Sequence, residues 1–127
     1  MKRLLIFFFL SISIKAEIFD ISIPENDTAS YTYADFRIWI NDSTDTLRGI
    51  YWFMHPNNGD SRDIVTDTAY QNLAQGQNFA VLGAHIFNMH MNTGIGDAVI
   101  AAMDSFAILS QHQELSFIPF FINGYSW

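Results

Sequence analysis

The chain has 127 residues, half of them hydrophobic and 16% aromatic, and it contains no cysteine. A composition so rich in apolar side chains excludes a disordered chain and fits one modest domain with a buried core. The absence of cysteine excludes a disulfide framework, so folding must rest on that core.

The first sixteen residues have the pattern of a secretory signal peptide. Lys2 and Arg3 form a positive start, residues 4–14 are almost entirely apolar, and Ala16 is a small residue suited to cleavage. The apolar run is shorter than the roughly 20 residues that a membrane-spanning helix needs, so an uncleaved anchor is the weaker alternative. We therefore predict that residues 1–16 are removed during export and that the protein is secreted or periplasmic.

Removal of this segment leaves a strongly acidic mature protein. Three arginines then stand against thirteen acidic residues, so the net charge is −10 and no lysine is left. Such a surface repels nucleic-acid phosphates and anionic lipid headgroups. We therefore expect no nucleic-acid partner and no stable membrane association.

The first half of the mature chain predicts three strands. Residues 18–23 alternate around apolar positions and end at Pro24, which indicates a short edge strand. Residues 31–40 are rich in aromatic and β-branched side chains, as strands are. Residues 41–46 are turn formers, and residues 47–54 form the next strand. We predict that these last two strands pair as an antiparallel hairpin.

Helices then alternate with strands. Asp60 or Ser61 is placed to cap a helix that Gly76 can end. Residues 79–85 form an apolar run without alternation, which is typical of a strand buried on both faces. Apolar residues at helical spacing between residues 95 and 110 predict a second helix. This alternation implies parallel crossovers and an α/β sheet that helices cover on both faces.

The last predicted strand, residues 117–122, leads directly to Gly124, Tyr125, Ser126 and Trp127. These residues match the first four positions of the G-x-S-x-G nucleophile elbow, in which a tight turn from strand to helix exposes the serine hydroxyl. An ordinary polar turn can also contain G-x-S. The position after a β-β-β-α-β-α series favours the elbow.

From about residue 36 to residue 127 the chain resembles the N-terminal half of the α/β-hydrolase fold, in particular secreted bacterial esterase-like members. Residues 111–115 (QHQEL), the following apolar strand and residues 124–126 are similar to the segment that precedes the elbow in that group. Residues 47–50 and the loop at residues 55–59 are similar to its third strand and oxyanion loop. The loop reads Pro-Asn-Asn-Gly where many lipases have a glycine-rich run.

The resemblance implies an α/β fold class: a partial hydrolase sheet, with an antiparallel N-terminal hairpin and then a parallel β-α-β-α-β series that ends at the elbow. It also implies a serine hydrolase that cleaves small-molecule or polymeric carboxylic esters without a cofactor or a metal. Ser126 would be the nucleophile. The amide of Trp127 and an amide of Asn57 or Asn58 would stabilise the oxyanion. Apart from the resemblance, His55 is a candidate pocket residue because it follows a strand at its carboxyl end, where active-site loops gather; the alternative is that it only caps a turn.

In this fold the acid and the histidine follow the serine in the chain, and none of the four histidines here does so. We therefore expect residues 17–127 to be the N-terminal part of an incomplete hydrolase domain that is inactive by itself.

Three other interpretations stay open. A catalytically inactive hydrolase-like protein would keep the fold and bind ligands or partners. A small exported β-rich binding module would make the G-x-S incidental, but the two helical segments argue against it. Residues 85–91 contain His and Met, which soft metals prefer, yet no third ligand is near, so a loop beside the substrate cleft is favoured.

Overall fold

The structure is a computed structural model that describes residues 17–26, 31–88 and 94–124. The predicted signal peptide, together with Tyr125, Ser126 and Trp127, lies outside these residues and stays a prediction. The described part contains five strands, two α-helices and two short 3₁₀ helices. The strands are β1 (Glu17–Pro24), β2 (Tyr33–Ile40), β3 (Gly49–Met54), β4 (Phe79–Phe87) and β5 (Phe120–Gly124), the α-helices are α1 (Thr68–Gln75) and α2 (Ile95–Ser110), and the 3₁₀ helices are Arg62–Thr66 and Gln113–Ser116.

The five strands form one mixed sheet in the order β1-β2-β4-β3-β5. β1 and β2 are antiparallel, β2 and β4 are antiparallel, and β3 is parallel to both β4 and β5. The α/β character and the mixture of parallel and antiparallel strands agree with the prediction, as does the edge position of β1.

The predicted hairpin of residues 31–40 with residues 47–54 is wrong. β4 lies between β2 and β3 and pairs with both, and the antiparallel pair at the start of the chain is β1 with β2. Seven of the nine β4 residues are buried, and β4 is apolar on both faces. A strand of this kind stabilises the fold most when it lies at the centre of a sheet, where helices bury both of its faces.

Two cores lie on opposite faces of the sheet, because side chains alternate along each strand. α2 covers the face to which the even-numbered residues of β2, β3 and β4 point. The first 3₁₀ helix and α1 cover the other face, where Trp39 and Val81 pack. This three-layer arrangement agrees with the prediction of a sheet covered on both faces. Among the described helices, none combines the length and the apolar character needed to cross a membrane.

The first predicted helix is divided in two. Asp60 accepts a hydrogen bond from the amide of Arg62 (3.0 Å), but the helix that begins at Ser61 is only a 3₁₀ helix, Arg62–Thr66. α1 begins after Asp67, whose carboxylate accepts a hydrogen bond from the amide of Ala69 at 2.8 Å. The true N-cap is therefore Asp67, seven residues beyond the first predicted one.

Candidate active site

A cleft of about 530 Å³ opens where β3 and β5 end, on the side of the sheet that α1 covers. Binding sites of open α/β sheets gather at the carboxyl ends of parallel strands. The floor is apolar, and the rings of Phe53 and Tyr70 lie 4.4 Å apart there. The rim is polar and acidic. The lining consists of Phe53, Met54, His55, Pro56, Asp60, Ser61, Asp63, Ile64, Asp67, Tyr70 and Asn123.

The structure brings the end of the predicted elbow strand beside the predicted oxyanion loop. In the parallel pair of β3 and β5, Gly124 lies opposite Met54, the residue before His55. A Cβ atom at Gly124 would lie 3.2 Å from the Cβ of Met54, so glycine allows this close approach. Ser126 and its neighbours Tyr125 and Trp127 follow Gly124 outside the described residues.

The loop after β3 is a tight turn. The amide of Gly59 donates a hydrogen bond to the carbonyl of Pro56 at 2.8 Å, and Asn58 has a φ of 56°, a left-handed conformation that asparagine tolerates. The side-chain oxygen of Asn58 accepts a hydrogen bond from the amide of Asn88 at 3.0 Å, which ties the turn to the end of β4. Asn57 is exposed. The use of an Asn57 or Asn58 amide as an oxyanion donor stays a prediction.

His55 is buried, with 4% of its surface exposed, and both of its ring nitrogens are engaged. Nε2 lies 2.9 Å from the amide nitrogen of Ile86 and Nδ1 lies 2.6 Å from the carbonyl oxygen of Pro56. A backbone amide can only donate, so Nε2 is the acceptor and the proton resides on Nδ1. His55 therefore lines the cleft as a fixed neutral ring and not as a base open to substrate.

Asp60, which lines the cleft, belongs to a network of charged side chains. Arg62 holds the carboxylate of Asp60 with Nε at 3.0 Å and Nη2 at 2.7 Å. The hydrogen bonds from Arg62 lower the pKa of Asp60 to about 2, against the opposing effect of partial burial. His85 adds to this effect, with Nδ1 at 3.7 Å from the carboxylate. Asp60 is thus a fixed anion at neutral pH and no proton donor.

Of the histidine and methionine pattern at residues 85–91, the structure describes residues 85–88. His85 lies beside Asp60 and packs edge-on against the ring of Tyr33, 5.4 Å between centroids. His90 and Met91 lie outside the described residues. Within the part of the chain that the structure describes, no three His, Cys, Asp or Glu side chains lie close enough to hold a metal ion.

Residues 111–115, which carry part of the family resemblance, lie away from the cleft at the amino end of β3. Glu114 accepts a hydrogen bond from the amide of Leu47 at 2.7 Å and lies 2.8 Å from Nδ1 of His112. Burial raises the pKa of Glu114, but these two hydrogen bonds, together with one from its own amide and the charge of His112, leave the pKa below its ordinary value. The segment therefore fixes the start of β3 and contributes nothing to the cleft directly.

Two parts of the cleft were not expected from the sequence. Asp67, the N-cap of α1, and Tyr70, in the first turn of α1, both line it. Ser61 reaches it because its hydroxyl bonds to the sheet, where it accepts a hydrogen bond from the amide of Ala84 at 2.9 Å. The aspartate that precedes Thr68 was the available sequence signal for the later helix start.

Among solved structures, the chain is similar to vibralactone cyclase, with a TM-score of 0.50 and 17% sequence identity. The match covers 88% of this chain and 34% of the cyclase chain, so this chain spans about a third of the length of that protein. The cyclase has an α/β-hydrolase-like fold, and at this identity the likeness concerns the fold alone. No family model and no curated protein matches the chain.

Proposed function

We propose that this chain supplies the nucleophile and oxyanion parts of a serine hydrolase that cleaves carboxylic esters. The observation that carries the proposal is the parallel pairing of β3 and β5. It sets Gly124, two residues before Ser126, beside the loop that follows β3. Acyl transfer by a serine requires backbone amides beside the nucleophile, and the loop after β3 offers those of Asn57 and Asn58 near the end of β5.

In the proposed mechanism the hydroxyl of Ser126 attacks the ester carbonyl carbon, and a histidine takes the hydroxyl proton and gives it to the alcohol as the bond between the carbonyl carbon and the alcohol oxygen breaks. Water then hydrolyses the acyl-serine, which releases the acid and restores the hydroxyl of Ser126. The amides of Trp127 and of Asn57 or Asn58 stabilise the tetrahedral oxyanion. The apolar floor of the cleft, formed by Phe53 and Tyr70, suits an apolar acyl or alcohol group.

The proposal places the histidine and its acid outside these 127 residues. Three of the four histidines are described, and each has a partner in the fold. His55 bonds through both ring nitrogens, His85 lies beside Asp60, and His112 bonds to Glu114. In α/β-hydrolases both groups follow the nucleophile in the chain.

A hydrolase-like protein that binds a ligand without catalysis is the second candidate. The engagement of the described histidines favours it, because such a protein keeps the cleft without a base. A fold hosts several chemistries, and the similar solved structure is named as a cyclase. Product analysis therefore accompanies the assay, so that ring closure and hydrolysis can be told apart.

The test uses the reading frame from the codon of Glu17 to its stop codon, assayed with p-nitrophenyl butyrate. We expect hydrolysis that Ser126→Ala lowers by about 10³-fold or more, because the nucleophile is lost. Ser116→Ala, at an exposed serine of the second 3₁₀ helix, should leave the rate unchanged. A folded wild-type protein that neither turns over esters nor reacts with a fluorophosphonate probe would overturn the proposal in favour of the binding protein.

A further inference from the structure

β3 and β4 separate at their carboxyl ends, and two side chains bridge the gap. The parallel pairing of the two strands ends at Gly83. Beyond that point, the amide of Ala84 donates to the hydroxyl of Ser61 at 2.9 Å. The next amide on the same side of β4, that of Ile86, donates to Nε2 of His55 at 2.9 Å. Side chains thus replace the strand carbonyls that the sheet would otherwise supply at this end.

The two bridging side chains differ in what they hold. Ser61 bonds back to the sheet and begins the first 3₁₀ helix. His55 immediately precedes the turn of residues 56–59, and its Nδ1 donates to the carbonyl of Pro56. One rigid, buried ring therefore connects β4 to the first residue of the turn.

We propose that His55 is a positioning residue that holds residues 56–59 against β4, so that an amide of the turn is fixed toward the oxyanion of the reaction. This inference rests on the proposed function. The other observed tie between the turn and β4 is the bond from Asn88 to Asn58, which is exposed to solvent. Water competes for an exposed hydrogen bond, so the buried imidazole carries most of the restraint.

Two substitutions distinguish the effects of the two hydrogen bonds that the imidazole of His55 makes. His55→Asn keeps a donor near the place of Nδ1 but cannot reach the amide of Ile86. His55→Gln carries its side-chain oxygen further and keeps an acceptor for that amide, but it loses the rigid donation to Pro56. If the tie to β4 positions the turn, the glutamine variant retains more activity than the asparagine variant.

The experiment measures kcat and KM of ester hydrolysis for the full reading frame, with the unfolding midpoint of each variant beside them. We expect His55→Asn to lower kcat about 10²-fold with KM little changed, because a displacement of about 1 Å costs on that order. We expect His55→Gln to retain kcat within about 10-fold. Affinity for a boronic acid, which mimics the tetrahedral oxyanion, should fall together with kcat.

Glu114→Gln is the matched control, because it loosens the opposite end of β3. We expect it to lower the unfolding midpoint without lowering the kcat of the folded protein. If His55→Asn behaves in the same way as Glu114→Gln, His55 is only structural and the proposal is overturned.

Different experimental outcomes would contradict the positioning role of His55 and the proposed function. Hydrolysis that His55→Asn leaves unchanged overturns only the positioning role. Absence of hydrolysis in the wild-type protein overturns the proposed function and the positioning role with it. The ¹⁵N resonances of the imidazole supply an independent readout: we expect a protonated Nδ1 and an unprotonated Nε2, and the reverse tautomer would also overturn the role of His55.

Discussion

At the scale of single residues, the backbone of residues 61–62 lies directly on Gly83 of β4. A Cβ atom at Gly83 would overlap the carbonyl oxygen of Ser61 and would lie 2.7 Å from Cα of Arg62. Both are backbone atoms, so neither can turn away as a flexible side chain would. Glycine at this one position lets the first 3₁₀ helix approach the sheet and close one wall of the cleft.

Gly83→Ala should therefore destabilise the protein by about 1–3 kcal/mol or more, because the added methyl group forces the two backbones apart. The control is Gly96→Ala in α2, where an added Cβ meets nothing within 4 Å. For Gly96→Ala we expect the free energy of unfolding to rise by up to about 1 kcal/mol, since alanine favours a helix more than glycine does. Urea denaturation measures both, and equal effects of the two substitutions would contradict the close contact at Gly83.

Glu114 gives a second residue-scale prediction, which concerns pH. Burial raises the pKa of Glu114, but hydrogen bonds from the amide of Leu47, His112 and its own amide, together with the charge of His112, leave the pKa below the ordinary value of 4.5 in the folded chain. The stabilisation is complete above about pH 4.5 and is lost as the pH falls below that value. We expect Glu114→Gln to cost about 1 kcal/mol at neutral pH and to flatten the loss of stability in acid.

The measurement is urea denaturation at a series of pH values from 3 to 7, roughly the range over which carboxylates titrate. Glu25→Gln provides the matched control, because Glu25 is exposed and the same charge is removed. If the free energy of unfolding falls as steeply with decreasing pH in Glu114→Gln as in the wild-type protein, Glu114 is not the group whose protonation destabilises the fold in acid.

At the scale of elements, the sequence predicts which segments are strands or helices better than it predicts how they pair. Strand and helix periodicities are local, so β1, β2, β4 and α2 were all expected close to their observed positions. The turn residues 41–46 favoured a hairpin, because local turn chemistry carries no information on a strand that comes later in the chain. The insertion of β4 between β2 and β3 depends on burial of both its faces, which is a property of the assembled sheet.

The start of α1 shows a second limit of local signals. Ser61 is a good N-cap residue by type, but its hydroxyl is already bonded to the backbone of β3 and β4. Asp67 has no such tertiary partner in the sheet and caps the helix instead. Ile100 of α2 and Leu73 of α1 are large apolar residues, yet 61% and 49% of their surfaces are exposed. Which apolar residues of a helix become buried is decided by what packs against it.

For the site, the pairing of Gly124 with Met54 brings the end of β5 beside the loop after β3, while the elbow and the oxyanion amides stay predictions. The role of His55 could not be read from the sequence, because its partner Ile86 lies 31 residues away in the chain. Contacts of this separation follow from the strand order, which the sequence mispredicted.

At the scale of the whole molecule, the open edge of β5 and the net charge of the chain have opposite effects on self-association. Among the described residues β3 is its one strand neighbour, so the other edge offers free backbone groups to a further strand. Phe117, Phe121 and Ile122 are 78%, 59% and 60% exposed there. An open apolar edge promotes self-association. The net charge of −10 over residues 17–127 opposes association through mutual repulsion.

The salt concentration distinguishes charge repulsion from hydrophobic association, because salt screens the repulsion and leaves the hydrophobic attraction. We therefore expect residues 17–127 to associate more as the salt concentration rises, when measured by light scattering. Ile122→Lys should suppress this association, since a lysine on an edge strand makes pairing with another chain costly. Ile108→Lys changes the net charge equally at a residue of α2 that is 73% exposed, and it should have little effect. Equal suppression by both substitutions would mean that net charge, and not the edge of β5, controls association.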